Sequence, residues 1–399
     1  MIGRLGELAR LFLKLGAISF GGPAAYIAII EDEAVGRRNW LSREHFLDLM
    51  AATNLIPGPN AVEMAAHVGY CRAGLLGAVV AGVCFTLPTV LIAAGIAFCY
   101  VHFGIRDGAQ SQIEPLLHGI QAAVLAVVFA AVWRLGRRAL RTWRLLLIGT
   151  GVAIAFLAGI DAIAALLTGS LIGALLLSWS TSSSDKPGDK PPLKPIVGLA
   201  TVGAGGSAQA ASTVAAAGAA IGATTATVVP LWQLGLFFLK VGVVFYGGGY
   251  VLLAYLQGDL VNDYGWLTEQ QLLDAVAVGQ ITPGPLLSTA TFVGYVLAGV
   301  PGAVVATLGL LLPSFFFVAA VNPLIPRLRN SRWTSRCLDA VVAASIGLMG
   351  AVTIVLTRST LIDWPSWLIA ITAVAIALRW KVTPAWLVLG GAIAGWLLY

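Results

Sequence analysis

Charged side chains are scarce in this sequence of 399 residues: Asp, Glu, Lys and Arg make up 11% of it, against about 25% in an average soluble domain. Hydrophobic residues make up 58%, and the mean hydropathy is +0.89. Because a soluble fold needs polar surface, this composition excludes one. The stretch 275–326 contains no charged residue and is long enough for two membrane crossings of about 20 residues each. We therefore expect a polytopic membrane protein surrounded by the lipid bilayer.

Cysteine and histidine are equally rare, with four of each. The cysteines form no CxxC pair and the histidines no HExxH motif, so the sequence offers neither a disulfide framework nor a zinc site. The absence of GxxxxGK[ST] excludes an ATP-binding loop, and any active transport has to be secondary. The net charge of +6 is too small for a nucleic-acid binder. We predict no cofactor, no metal, no catalytic residue and no nucleic-acid partner.

An internal repeat is the most informative feature that is present. Segment 12–16 recurs 226 positions later as 238–242, and several rare residues recur in the same frame. The pairs include Trp40 with Trp266, Asp48 with Asp274, and Pro57-Gly58-Pro59 with Pro283-Gly284-Pro285. We predict an N-terminal repeat over 1–179 and a C-terminal repeat over 230–399. The linker 180–229 begins with a polar, proline-containing stretch, and its Ala/Gly-rich part is either a tether or a further spanning helix.

The distribution of proline, glycine and arginine predicts the topology. Each repeat has six apolar segments, and the first two carry Gly-Gly or Pro-Gly-Pro in the middle, which predicts broken or re-entrant helices. Loop 134–144 has five arginines and its counterpart 358–363 has one, whereas 102–114 has one and its counterpart 327–336 has four. Since positive loops stay in the cytoplasm, the repeats should have opposite orientation. The fold class is all-α, with two inverted repeats and about 10–13 transmembrane helices.

Two lysines in the repeated frame are candidates for anion binding. Lys240 follows Pro230 by ten residues, about 15 Å of helix, which would place it near the middle of the bilayer. Lys14 is its counterpart, and two ammonium groups near a pseudo-symmetry axis would attract an anion. The alternative is a lysine that reaches to the membrane surface.

The helix breaks could bind the same anion through their backbone. Interrupted helices expose N–H groups with a partial positive charge, and neutral side chains beside the turns could add donors. The alternative is that glycine and proline serve only close packing and kinks. The residues concerned are Gly21, Gly22, Gly247, Gly248, Asn54, Pro57, Gly58, Pro59, Asn60, Gln280, Pro283, Gly284 and Pro285.

Four ionisable residues are candidates for proton or ion coupling. Asp48 and Asp274 recur in both repeats and could carry protons or pair with the lysines; alternatively they anchor a helix end. Glu63 and His67 are four residues apart, on one helical face, and could relay a proton. The second repeat lacks that pair, so it does not belong to machinery common to both repeats, and the alternative is a structural role.

These motifs together resemble the chromate ion transporter family. The resemblance rests on the Phe-Leu-Lys start, Phe20-Gly21-Gly22, the Phe46-Leu47-Asp48 triplet and Pro-Gly-Pro followed by Val-Gly-Tyr. The second copy looks like the carboxyl half of the long, two-domain members.

The resemblance implies export of chromate, a tetrahedral dianion, across the bacterial inner membrane, with chromate resistance as the result. It also implies coupling to ions such as protons. A carrier for sulfate or another oxyanion would look the same in sequence. An intramembrane enzyme acting on a lipid phosphate is a more distant alternative, and it would have to use Glu63 and His67. Neither the direction of transport nor the oligomeric state follows from the sequence.

Overall fold

The computed structural model describes residues 2–19, 23–53, 56–103, 110–179, 229–246, 251–283, 287–322, 332–380, 382 and 384–398. These residues form helices and no strands, which confirms the all-α prediction. The helices of the first repeat are α1 (Ile2–Ile18), α2 (Pro23–Glu31, continued by π-helical Asp32–Arg37), α3 (Arg43–Thr53), α4 (Asn60–Phe103), α5 (Gln110–Ala139), α6 (Trp143–Leu157) and α7 (Ala162–Trp179). Those of the second are α8 (Leu231–Val244), α9 (Val251–Tyr255, continued by π-helical Leu256–Asp263), α10 (Glu269–Ile281), α11 (Ser288–Val321), α12 (Arg332–Thr360), α13 (Trp364–Arg379) and α14 (Pro384–Leu398).

Several helices are long and apolar enough to cross a membrane. Within the described ranges, four stretches qualify: Asn60–His102, Pro115–Arg137, Ser288–Val321 and Cys337–Thr360. Helices α6, α8, α13 and α14 and most of α7 are shorter and also apolar. The chain is therefore a multi-pass membrane protein. The Ala/Gly-rich part of the linker lies outside the described residues, except for Val229.

The predicted helix breaks occur where proline and glycine place them. Helix α3 ends at Thr53 and α4 begins at Asn60, so the first Pro-Gly-Pro sequence interrupts the path. Helix α10 ends at Ile281, just before the second one. Helices α1 and α8 end before the Gly-Gly sequences, and α2 and α9 begin after them. Proline cannot donate the helical hydrogen bond, which explains the interruptions at the Pro-Gly-Pro sequences.

Helices α4 and α11 are hairpins of two helical arms. The backbone leaves the helical region at Ala73 and Gly74, where Gly74 has φ +67°, and at Ala298 and Gly299, where φ is +62°. A Cβ atom on Gly77 would overlap the carbonyl oxygen of Gly69, although eight residues of straight helix would separate them by about 12 Å. The short arms 60–72 and 288–297 therefore fold back on the long arms 75–103 and 300–321.

The two repeats interlock. Helices α4 and α11 pack on each other at the centre, with α1 against α4 and α8 against α11. Helices α6 and α7 of the first repeat pack against α12 of the second, while α13 and α14 pack against α5. A Cβ atom on Gly347 would overlap the carbonyl oxygen of Gly149, so α6 and α12 meet backbone to backbone. Each repeat thus completes its core with helices of the other.

Candidate functional site

Each Pro-Gly-Pro turn lies against a long helical arm of the opposite repeat. The Thr89 hydroxyl, on the long arm of α4, donates to the carbonyl oxygen of Pro283 at 2.6 Å. Ser314, on the long arm of α11, approaches Gly58 in the other turn. Thr89 and Ser314 are equivalent in the repeat, and each lies 15 residues beyond its hairpin glycine, about 22 Å along the helix. Both turns are therefore deep inside the bundle.

Gly58 is held in a position that admits no side chain. Its N–H donates to the carbonyl oxygen of Phe245, at the end of α8, at 2.8 Å. Its φ of +149° disfavours other residues. A Cβ atom at Gly58 would overlap both Oε1 of Glu63 and the hydroxyl of Ser314. The turn, the acid and the hydroxyl therefore form one compact group, called here the Glu63 site.

The polar side-chain atoms of the Glu63 site are buried, and no described residue forms a hydrogen bond with them. Glu63 is 0% exposed and Ser314 is 1% exposed. Neither carboxyl oxygen of Glu63, nor the Ser314 hydroxyl, has a partner among the described residues. His67 is also 0% exposed and lies one helical turn further along the same arm. An isolated carboxylate in such surroundings would cost several kcal/mol, so the site calls for a proton or another positive charge.

The second turn differs from the first in its chemistry. Ser288 occupies the place of Glu63 in the repeat, and its hydroxyl accepts a hydrogen bond from Thr282 at 2.8 Å. Gln280, in the last turn of α10, is also buried. The second turn is therefore neutral and hydrogen-bonded, and the acid belongs to the first turn alone.

Asp274 is buried at a junction of three helices. It is 4% exposed and accepts hydrogen bonds from the Tyr100 hydroxyl at 3.0 Å and from Nε2 of Gln121 at 3.1 Å. These contacts join α10 to α4 and α5. Among the described residues, the donors to the Asp274 carboxylate are these two neutral groups and not a lysine. For Asp48, the backbone lies in α3 and the side chain is outside the described set.

The counter-ion of Lys240 is Asp259. Nζ of Lys240 donates to Oδ2 of Asp259 at 2.9 Å, and the lysine side chain is 47% exposed. Asp161 and Asp263 lie beside Asp259. Burial and the negative charge of Asp161 raise the pKa of the Asp263 carboxyl above its ordinary value. Lys240 thus lies among acids, and while its ion pair with Asp259 is closed these surroundings do not favour anion binding. Lys14, its counterpart, is exposed on α1.

Sequence reasoning missed the residues that hold the turns and acids in place. Thr89 and Ser314 follow Pro88 and Pro313, the matched prolines of the two repeats, and that shared position was the available signal. Nothing in the local sequence distinguishes Tyr100 or Gln121. Asn60 begins α4, and Pro57, Pro59 and Pro283 are buried in the turns; the binding roles predicted for them stay predictions. The remaining candidates lie outside the described residues: Gly21, Gly22, Gly247, Gly248, Asn54, Gly284 and Pro285.

Repeated helical halves with broken helices and buried ionisable groups at their interface are typical of membrane transport proteins. Comparison with known proteins gives the family. The chain belongs to the chromate transporter family, whose model matches residues 6–174 and 232–396. The predicted family is therefore confirmed, and its named members are transport proteins, which confirms that the chain is not an enzyme.

Curated relatives match almost the whole chain. A chromate transport protein of Cupriavidus metallidurans is 31% identical over 396 residues, which cover 99% of this chain and 93% of the relative. One of Pseudomonas aeruginosa is 32% identical over 400 residues, covering 98% and 92%. A probable chromate transport protein of Synechococcus elongatus is 29% identical over 382 residues, covering 95% and 90%. No solved structure matches the chain.

Proposed function

We propose that this protein is a secondary transporter that exports chromate across the bacterial inner membrane, couples that movement to protons, and thereby confers chromate resistance. The relatives named as chromate transport proteins support the substrate. The observation that carries the proposal is the Glu63 carboxyl group, fully buried without a partner among the described residues beside a helix break. Intramembrane ionisable residues of this kind mark ion pathways.

The Pro-Gly-Pro turns are the proposed binding elements for the anion. Chromate is a tetrahedral dianion, and the backbone N–H groups at the start of the helices that follow the turns, together with neutral hydroxyls, can bind it without excessive charge. Thr89 and Ser314 bring hydroxyl groups to the two turns. The glycine breaks and Lys14 belong to the same proposal. Lys240 contributes once its ion pair with Asp259 opens.

The membrane potential supplies the driving force in this proposal. Moving one elementary charge across 100 mV is worth about 2.3 kcal/mol, so a dianion leaving a negative cell interior gains about 4.6 kcal/mol. If one proton travels with the anion, the net charge is −1 and the gain is about 2.3 kcal/mol. Export therefore remains favourable with a proton on Glu63.

Charge repulsion would link the proton to the anion. An ionised Glu63 next to the first turn repels a dianion bound there, so anion binding favours the protonated carboxyl group. We expect proton and chromate to bind together and move together. The two units 1–179 and 230–399, taken as inverted repeats, would supply the alternating access.

Uptake of radiolabelled chromate into inside-out membrane vesicles tests the proposal. Export in the cell corresponds to uptake here, so a lumen-positive potential should accelerate it and external acidification should accelerate it further. Vesicles without the protein are the control. Uptake that ignores the potential, or that requires an acidic lumen, would contradict the proposed coupling. Excess sulfate is a separate arm: equal competition would make the protein a general oxyanion carrier.

A further inference from the structure

A cluster of three aspartates lies beside α8 and contains none of the residues of the Glu63 site. Asp161 precedes α7, while Asp259 and Asp263 belong to the π-helical segment after α9. One carboxylate oxygen of each lies within 4.8 Å of those of the other two. Among the described carboxylates, the one that forms an ion pair with Nζ of Lys240 is Asp259, through Oδ2 at 2.9 Å. Three carboxylates thus share one ammonium group.

One buried oxygen of this cluster has no hydrogen-bond partner in the described part of the chain. The Asp259 side chain is 2% exposed, and its Oδ1 has no hydrogen-bond partner among the described residues. A buried carboxylate oxygen without a donor is costly. Lys240 satisfies one side of the group only, so a second positive partner would stabilise it.

In the first repeat, the carboxylate equivalent to Asp259 is bound by two arginines. Glu33, equivalent to Asp259, accepts from Arg37 at 3.2 Å through one oxygen and from Arg38 at 3.3 Å through the other. In the second repeat, Asp263 stands in the place of Arg37 and Tyr264 in that of Arg38. The second repeat has therefore exchanged one cation for a further acid and the other for a neutral residue, while keeping the central carboxylate.

We propose that Asp161, Asp259 and Asp263 form a binding site for a divalent metal cation. A donor set made only of carboxylate oxygens suits hard cations such as Ca²⁺ and Mn²⁺. Asp161 and Asp263 are exposed, so water completes the coordination. Asp161 uses Oδ1 to accept from the N–H of Ala164 at 2.9 Å, which leaves its other oxygen for the metal.

In this proposal, the Lys240 ammonium group competes with the metal cation for the Asp259 carboxylate. Its ammonium group already neutralises one oxygen of Asp259, and a metal at the cluster would be repelled by it. An open site of this kind corresponds to a dissociation constant of roughly 10⁻⁴–10⁻³ M. Removing the ammonium group should tighten metal binding, whereas removing a carboxylate should weaken it.

Mn²⁺ binding to the purified full-length protein in lipid nanodiscs, followed by electron paramagnetic resonance, tests the site. We expect saturable binding that Ca²⁺ displaces, weakened about tenfold or more by Asp263→Asn and strengthened about tenfold by Lys240→Met, as expected for the loss or gain of one charge interaction. Asp259→Asn should abolish binding. Because Asp259 is buried and could be needed for folding, the exposed Asp263 provides the safer variant.

Asp32→Asn is the matched control, since Asp32 is an exposed acid beside Glu33 in the first repeat. It should leave Mn²⁺ binding unchanged. Absence of saturable binding in the wild type, equal binding in Asp263→Asn, or weaker binding in Lys240→Met would each overturn the proposal. None of these measurements depends on transport, so the site is tested separately from the proposed function.

Discussion

Replacing Glu63 by glutamine tests the proposed coupling directly, because it removes a titratable proton and keeps the side-chain volume. Glu63 is 0% exposed and makes no ion pair with the described residues. The substitution therefore breaks no ion pair among them and leaves no cavity. We expect the Glu63→Gln protein to reach the membrane and to unfold near the wild-type temperature.

The expected effect on anion binding follows from the position of Glu63 against Gly58. A dianion at the first turn would lie roughly 8 Å from the carboxylate, and at an effective dielectric constant of about 20 the repulsion is about 4 kcal/mol. That corresponds to about three factors of ten in affinity between the ionised and protonated states. In the wild type, chromate affinity should fall as pH rises through the titration of Glu63. In Glu63→Gln it should stay at the high, low-pH value.

Chromate affinity measured against pH for the wild type and for Glu63→Gln tests the role of Glu63. The protonation of chromate itself affects both proteins equally, so it cancels in the comparison. Vesicle uptake by Glu63→Gln should respond to membrane potential and no longer to a pH difference. Glu44→Gln, an exposed acid in the first turn of α3, is the matched control and should behave as wild type. Identical pH dependence in Glu63→Gln and the wild type would refute the role of Glu63.

Two further predictions concern the contacts between repeats. Gly347→Ala places a methyl group against the carbonyl oxygen of Gly149 and should destabilise the protein by about 1–3 kcal/mol. Gly350→Ala on the same helix is the control, because a Cβ atom there would meet Cγ1 of Val132 at 4.0 Å, an ordinary van der Waals contact. Equal thermal unfolding temperatures of the two variants would contradict the interlocked packing. Thr89→Val removes the hydrogen bond to Pro283, at a cost of about 1–3 kcal/mol for the buried carbonyl, and should slow chromate uptake. Thr86→Val removes only hydrogen bonds within its own helix, and a transport defect as large as that of Thr89→Val would argue against a special role for the turn.

Local sequence was sufficient for the features that depend on short stretches of chain. The membrane location follows from long apolar segments, because hydrocarbon tolerates few charges. The break between α3 and α4 follows from Pro57-Gly58-Pro59, because proline lacks the helical donor. The family followed from rare residues kept in order along both repeats. The membrane location and the helix break can each be read within about 20 residues, whereas the family needed motifs from the whole chain.

The partners of the buried polar groups could not be predicted in the same way. Lys240 was expected to lie near an anion, and its counter-ion is Asp259. Asp274 was expected to carry protons or to pair with a lysine, and it accepts from Tyr100 and Gln121. Several donors of suitable chemistry occur along the chain, and only the packing of helices selects among them.

The membrane location, the repeat and the helix breaks could thus be determined from the sequence alone. The membrane location and the breaks depend on local solvation and backbone chemistry, and the repeat is visible when the sequence is compared with itself. Tertiary structure decided that α6 and α7 complete the second repeat, and that Thr89 contacts Pro283 across 194 positions. It also decided that none of the described residues donates a hydrogen bond to Glu63. These features depend on which distant helices approach closely, and close packing fixes that for the whole bundle at once.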